Sequence, residues 1–460
     1  MIDFSKISHI WMIGIGGIGM SAIARYFAAG GYSVGGYDRN ESSISEALIS
    51  EGIRVIYRDD PDEIPKDFLI KDKTLVIYTP AVSPHNKIST YLKGKGFRLY
   101  KRAEILGIIS SESRSIAIAG THGKTSVTTI TAHLLKQSSI DCSAFLGGIS
   151  KNYRTNLLTG ESDITVMEAD EFDRSFHYLN PEMALITSMD ADHLDVYGSY
   201  DNMVKAYLEF AGKIKNNGVL ILNEKIAGSF YKTGNIKIYT YGLSPTSDFY
   251  LSDISRDKEA YHFSVNTPWG ILDELSLLIP GKMNVENSVG AIALAKLAGV
   301  SDKDIKKALI YYKGVFRRFD VRISSDKLIY IDDYAHHPRE LDYCIESVRE
   351  IYGRKRITGI FQPHLYTRTR DHADAFAAAL DNLDRAILLP VYPAREEPIE
   401  GVNTAMIYDR MKLKNKILAE KDDLPALLKG EKAGIVLTLG AGDIDRLVEP
   451  IENMLLKKLG

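Results

Sequence analysis

Short apolar runs recur along the chain, each breaking into a glycine-rich or charged cluster that opens a helical pattern. Ile7 to Ile13 leads into Gly14-Ile15-Gly16-Gly17-Ile18-Gly19-Met20 and a helix to about Ala29. The next run ends Val34-Gly35-Gly36-Tyr37-Asp38. Leu75 to Tyr78 repeats the form, and Ile116 to Ala119 enters Gly120-Thr121-His122-Gly123-Lys124-Thr125 and a helix to about Gln137. Ile164 to Met167 ends in Glu168-Ala169-Asp170-Glu171, and Met183 to Thr187 in Ser188-Met189-Asp190-Ala191-Asp192-His193-Leu194-Asp195. Unbroken apolar runs of this length are strands buried on both faces, and their alternation with helices predicts parallel sheets. Residues 235–275 differ. Their short alternating segments, such as Lys237 to Tyr241 and Tyr261 to Val265, predict a small antiparallel side sheet.

From about Ile323 four more strand exits follow. Leu328 to Ile331 runs into Asp332-Asp333-Tyr334-Ala335-His336-His337-Pro338, and Arg356 to Phe361 into Gln362-Pro363-His364-Leu365-Tyr366-Thr367-Arg368-Thr369-Arg370. Ala386 to Leu389 enters Pro390 to Glu397, which contains Arg395, and Ile435 to Thr438 enters Leu439-Gly440-Ala441-Gly442-Asp443. Ligands bind at that edge of open α/β sheets, so a ligand-binding layer is expected there.

At 460 residues the chain exceeds one ordinary core. The polar stretch Ser110 to Arg114 and the segment Gly314-Val315-Phe316-Arg317-Arg318-Phe319-Asp320 divide it into 1–112, 113–322 and 323–460. The expected fold is α/β in three domains: Rossmann-like, a P-loop-type mononucleotide-binding centre, and Rossmann-like again. Composition adds exclusions. With 57 basic and 60 acidic residues, net charge −3, no extended nucleic-acid-binding face is expected. Two cysteines, Cys142 and Cys344, build neither a disulfide framework nor a CxxC metal site and fit a reducing cytoplasm. The apolar stretch Ile10 to Met20 is too short and too rich in glycine to span a membrane or to act as a signal.

Gly120 to Thr125, between a strand and a helix, is a shortened phosphate loop, with Ile118 where the usual pattern has glycine. Converging backbone N–H groups and the helix dipole cradle an anion, Lys124 reaches a terminal phosphate, and the Thr125 hydroxyl suits Mg²⁺. The reading is an ATP site. Glu168, abutting its strand, is the expected Mg²⁺ partner. His193 is either a metal ligand or a surface imidazole. Gly14, Gly16, Gly17 and Gly19 form a G-x-G-x-x-G turn with Ile18 and Met20, and Asp38 lies about 20 residues beyond. Alone, that motif is equally NAD(P), another diphosphate, or simple helix–strand packing. Lys101 and Arg102 read as a solvated face. Asn284 and Asn287 share one helix face, as a cap or an adenine reader. Of the adjacent Arg317 and Arg318, at most one reaches the phosphates.

Taken together, the glycine turn, Gly120 to Thr125, Glu168 to Glu171, Asp192-His193-Leu194-Asp195, Arg317 to Asp320, Asp332 to Pro338 and Phe361 to Arg370 resemble the Mur ligases of peptidoglycan synthesis over essentially the whole chain. The resemblance implies a first domain that binds a UDP-sugar through Gly14 to Gly19, a second for ATP and Mg²⁺, and a third for an amino acid. It implies ATP-dependent joining of L-alanine to the carboxylate of UDP-N-acetylmuramate through an acyl phosphate. Lys124, Glu168, His193, His336 and Arg368 would be catalytic, with Thr125, Glu168 and His193 on the metal. Asn284 and Asn287 would face adenine, Asp333 the ribose and Arg318 the ATP phosphates. His336 and Arg368 would hold the amino acid or reacting groups, in a layer with Tyr334 and His364. Two departures stand out: Met283 precedes Asn284, and Leu365 follows Gln-Pro-His where an arginine is usual, so Arg395 is the alternative clamp. A different amino acid or a preformed peptide is the runner-up substrate. An NAD(P)-dependent oxidoreductase or a non-catalytic nucleotide switch leaves most of these clusters unexplained.

Overall fold

The computed structural model describes residues 2–190, 194–230, 234–257, 260–394, 396–431 and 433–459. It resolves into two compact units. The first comprises Met1–Ile279 with Met283–Gly314, and the second Pro280–Lys282 with Val315–Gly460.

The first unit holds two sheets. One has five strands in the order Arg54–Ile56, Ser33–Tyr37, His9–Ile13, Thr74–Tyr78, Leu99–Lys101, all parallel. Ile10 and Met12 pack on the face carrying helix Ile18–Ala29, while Trp11 and Ile13 pack on the other with Phe68 and Ile88. That division is the period-2 geometry of a strand buried on both sides. The chain extends the sheet first to one side of His9–Ile13 and then to the other, so the Gly14 turn emerges at the switch point where open α/β sheets bind ligands.

The second sheet has ten strands. Its parallel part runs Lys237–Gly242, Val219–Asn223, Met183–Ile186, Arg114–Ala119, Ile164–Glu168, Ser143–Phe145. Phe249–Arg256 joins Lys237–Gly242 in parallel, and Tyr261–Thr267 and Gly270–Leu277 follow antiparallel. The antiparallel strands expected from 235–275 are therefore present, but as an extension of the main sheet. Lys237–Gly242 itself runs parallel to Val219–Asn223.

Ser110 to Arg114, expected as a domain boundary, is exposed at Ser111, Glu112 and Arg114 but anchored at its first residue. Ser110 is fully buried, its Oγ donates to Gly107 O and accepts from Asn180 N, and Ser115 Oγ donates to Ser110 O at 2.8 Å. One apolar cluster runs from Ile10, Ile23 and Phe27 through Phe145 to Met167, Ile186, Tyr207 and Phe210, so the first two sheets share a core. That sharing is why they form one unit.

The second unit carries a six-stranded sheet in the order Asp320–Ser324, Leu328–Asp333, Gly434–Leu439, Ile357–Phe361, Arg385–Leu388, Lys416–Leu418. All pairs but the first are parallel, which puts the four polar exits on one edge. Asp320–Ser324 pairs with Leu328–Asp333, so the boundary expected at 322/323 falls inside a strand, and the unit's long continuous stretch begins at Val315. Among the described residues no helix is long and apolar enough to cross a membrane.

Candidate active site

The phosphate loop leaves Arg114–Ala119, between Ile164–Glu168 and Met183–Ile186, and enters helix Lys124–Lys136. Gly120 and Gly123 have φ of 131° and 80°. A Cβ on Gly120 would overlap the Thr187 hydroxyl, and one on Gly123 would lie 2.8 Å from Asn287 Oδ1. Both glycines are therefore required by backbone conformation and by space. The Thr121 hydroxyl bonds Ser188 Oγ at 2.8 Å and accepts from Asp190 N, while His122 N donates to Ser188 Oγ at 3.0 Å. Thr121 thus shapes the loop from the neighbouring strand exit. The His122 ring lies 3.6 Å from Asp190.

Lys124 Nζ donates to Gly120 O at 2.6 Å and to Glu171 at 2.8 Å. Burial would lower its pKa, but Glu171, Glu168 and Asp170 outweigh that and hold it above the ordinary lysine value. It stays an ammonium. Thr125 Oγ1 donates to Glu168 Oε2 at 2.8 Å, so the hydroxyl and carboxylate expected on the metal are in contact. Gly147 makes room for that carboxylate, since a Cβ there would overlap it. No group of three or more His, Cys, Asp or Glu suited to a metal occurs among the described residues. A Mg²⁺ bound through one carboxylate, a hydroxyl and substrate phosphates needs no such group, so this pair fits the ion. His193 lies outside the described residues.

Asn287 packs against Gly123, which puts it on the phosphate loop, and its Nδ2 has no hydrogen-bond partner among the described residues. Asn284 sits one turn earlier in helix Lys282–Leu297, half-buried.

In the first sheet Gly14 has φ 85° and its turn is pinned by Asp38, whose Oδ2 accepts from Gly16 N at 2.8 Å. Asp38 thus helps to shape the glycine turn. Gly17 caps helix Ile18–Ala29 without a side-chain bond, leaving the first-turn amides of Ile18 and Gly19 open to an anion. Met20 points the other way. Its side chain is 2% exposed and belongs to the core, because position N3 of this helix faces the sheet. Lys101 and Arg102 are not a solvated face either. Lys101 pairs with Asp173 and Arg102 with Asp170, each at 2.9 Å.

In the second unit the exit of Leu328–Asp333 is tightly tied. Arg317, at φ 65°, pairs with the fully buried Asp332 at 3.2 Å and donates to Gly440 O. Arg318 lies over the Tyr334 ring at 5.0 Å. Asp333 accepts from Phe319 N and Ala335 N at 2.6 and 2.8 Å, so here the expected ribose ligand holds backbone. Loss of water pushes its carboxyl up to about 6, against the pull of those amides and Arg318. The unfolded carboxyl ionises more readily than the folded one, so this group destabilises the fold as pH rises from about 4 to 6. The wild-type-minus-Asp333→Asn difference in Tm is expected to fall across that range, as measured by thermal melts.

His336 Nδ1 lies 3.0 Å from Tyr334 O and 3.2 Å from Glu340. Burial holds the imidazole below the ordinary histidine value, with Glu340 opposing and Arg368 adding. Its ring meets those of Tyr334 and His364 at 5.1 and 5.9 Å, and His364 stacks on Tyr392. Tyr334, His336, His364 and Arg368 are thus one cluster. Leu365, at φ 70°, is buried and donates its N–H to Tyr392 O, while Arg370 turns away to Asp371. Arg395 lies outside the described residues. Sequence reasoning did not single out Glu171, Gly147, Ser188 or Tyr392. Ser188, directly after a strand run, and Glu171, in the acidic cluster after another, carried a usable signal.

Three family models cover most of the chain: "Mur ligase family, catalytic domain" over residues 9–114, "Mur ligase middle domain" over 118–295, and "Mur ligase, glutamate ligase domain" over 317–442. The chain is 46% identical over 459 residues to UDP-N-acetylmuramate–L-alanine ligase of Parabacteroides distasonis, covering 100% of this chain and 99% of that one. It is 48% identical over 450 residues to the enzyme of the same name from Porphyromonas gingivalis, covering 97% and 99%. The crystal structure of UDP-N-acetylmuramate–alanine ligase MurC from Thermotoga maritima superposes with a TM-score of 0.79 at 26% identity, covering 98% of each chain. With three consecutive domain models and full-length relatives on one fold, the chain belongs to the Mur ligase family.

Proposed function

We infer that the chain is an ATP-dependent ligase that joins L-alanine to the carboxylate of UDP-N-acetylmuramate in peptidoglycan precursor synthesis. The observation that carries the chemistry is the loop that sets Lys124 and the Thr125–Glu168 pair side by side. A carboxylate attacking a polyphosphate needs charge cancelled along its path, and Lys124, held in place by Gly120 O and Glu171, supplies it. Mg²⁺, held by Thr125 and Glu168, would neutralise charge on the transferring phosphoryl group. The muramate carboxylate takes the γ-phosphoryl group of ATP, and the amine of L-alanine then displaces phosphate. The Gly14–Gly19 turn takes the UDP-sugar diphosphate on its helix N-terminus. In the second unit Arg368 suits an amino-acid carboxylate, and His336, where burial disfavours the charged imidazolium, suits a proton acceptor for the incoming amine. A cytoplasmic setting fits two buried, unpaired cysteines.

The test is ADP and phosphate release with UDP-N-acetylmuramate and a panel of L-alanine, glycine, L-serine and a tripeptide, with product mass as readout. Turnover is expected only when sugar nucleotide and L-alanine are both present. Release without the sugar nucleotide overturns the ligase reading, and a product with another amine alone reassigns the acceptor.

A further inference from the structure

Arg102 joins two loops that lie far apart in sequence, and the role inferred for it rests on the Gly14–Gly19 turn being the diphosphate site. The Arg102 guanidinium lies against the first turn of helix Ile18–Ala29, where a Cβ on Gly19 would overlap its Nη1. Its other terminal nitrogen, Nη2, donates to Asp170 Oδ2 at 2.9 Å, its one hydrogen bond among the described residues. Asp170 is fixed in turn, because Phe172 N donates to its other oxygen at 3.0 Å.

For a helix N-terminus alone, this arrangement has the wrong sign. Such a terminus carries about half a positive charge, and a cation beside it is repelled. Asp170 compensates the charge through Nη2, and an anion on the turn would compensate it on the Nη1 side, between the helix amides and the guanidinium. The two nitrogens divide the work: Nη2 is held by Asp170 while Nη1 faces the glycine turn. The geometry points to Arg102 as a further diphosphate-binding residue, and to Asp170, from the ATP-binding segment, as the positioning residue that holds it over the UDP-sugar. Arginine loses much rotamer freedom when it binds an anion, and a carboxylate that has already ordered it lowers that cost.

The test is calorimetric titration of the full-length protein, without ATP, with UDP, UMP and uridine. R102A is expected to weaken UDP roughly 10–100-fold, the range for a lost charge-assisted contact. Uridine affinity should change less than about twofold in the same variant, and R102K should recover part of the loss as a point charge. D170N, which keeps an acceptor but no charge, should weaken UDP about 3–10-fold and leave uridine unchanged. Equal weakening of UDP and uridine, or a UDP affinity unmoved in R102A, overturns the role of Arg102 and makes the pair a structural tie. A wild-type protein that does not prefer UDP to uridine overturns the reading of the turn itself, and the proposal with it.

Discussion

Lys124→Ala is expected to lower product formation by at least about 10³-fold while UDP-N-acetylmuramate still binds. The loss follows from removing a charged, preorganised group from a site where phosphoryl charge must be cancelled. The variant has a structural cost as well. Glu171 is 1% exposed, and Lys124 lies 2.8 Å away. Removing one member of a buried ion pair typically costs about 3–5 kcal/mol, because the other charge is left without compensation. The double variant Lys124→Ala/Glu171→Gln separates the two effects. Thermal melts should show stability largely restored in it, whereas steady-state assays should show activity still absent. Activity recovering together with stability would reduce Lys124 to a structural role. Loss of sugar-nucleotide binding in parallel with activity would mean that the two ligand sites have been assigned to the wrong sheets.

Glu168→Gln comes second in expected effect. The glutamine keeps the size of the side chain and can still accept from Thr125, so stability should change by less than about 1 kcal/mol. Without the negative charge a divalent cation loses the carboxylate that Thr125 shares. Activity should fall about 10²-fold or more at ordinary Mg²⁺ and recover in part as Mg²⁺ is raised. A Mg²⁺ dependence that does not move in the variant would take Glu168 off the metal. Gly147→Ala is the companion substitution. Its methyl group would overlap the Glu168 carboxylate, so it should reproduce the Mg²⁺ phenotype without changing any charge.

The α/β class and the places where chemistry gathers are legible in the sequence, for a local reason. A strand buried on both faces must be apolar without interruption, and a phosphate-binding turn must be glycine followed by a helix start. Both constraints act within a dozen residues, so Ile10 to Gly19 and Ile116 to Thr125 announce themselves. The strand exits of the second unit do the same, which is why Tyr334, His336, His364 and Arg368 fall into one layer on pattern alone, and the His336 ring does meet those of Tyr334 and His364.

Only the tertiary structure decided which way each side chain turns and what it pairs with across long sequence separations. Met20 follows the glycine turn as closely as Gly19 does, yet helical periodicity sends it into the core. Asp38 and Asp333 are acids at ligand-binding edges whose carboxylates hold backbone amides, a choice set by loops packed elsewhere. Lys101 and Arg102 look like a solvated face until Asp173 and Asp170 arrive from the exit of a strand in the other sheet. The polar Ser110–Arg114 stretch reads as a domain boundary, and its first residue, Ser110, is nonetheless fully buried. By itself the sequence determined the kinds of element and the chemistry at their ends. Pairing partners and side-chain direction came from packing, because those depend on contacts that no local pattern encodes.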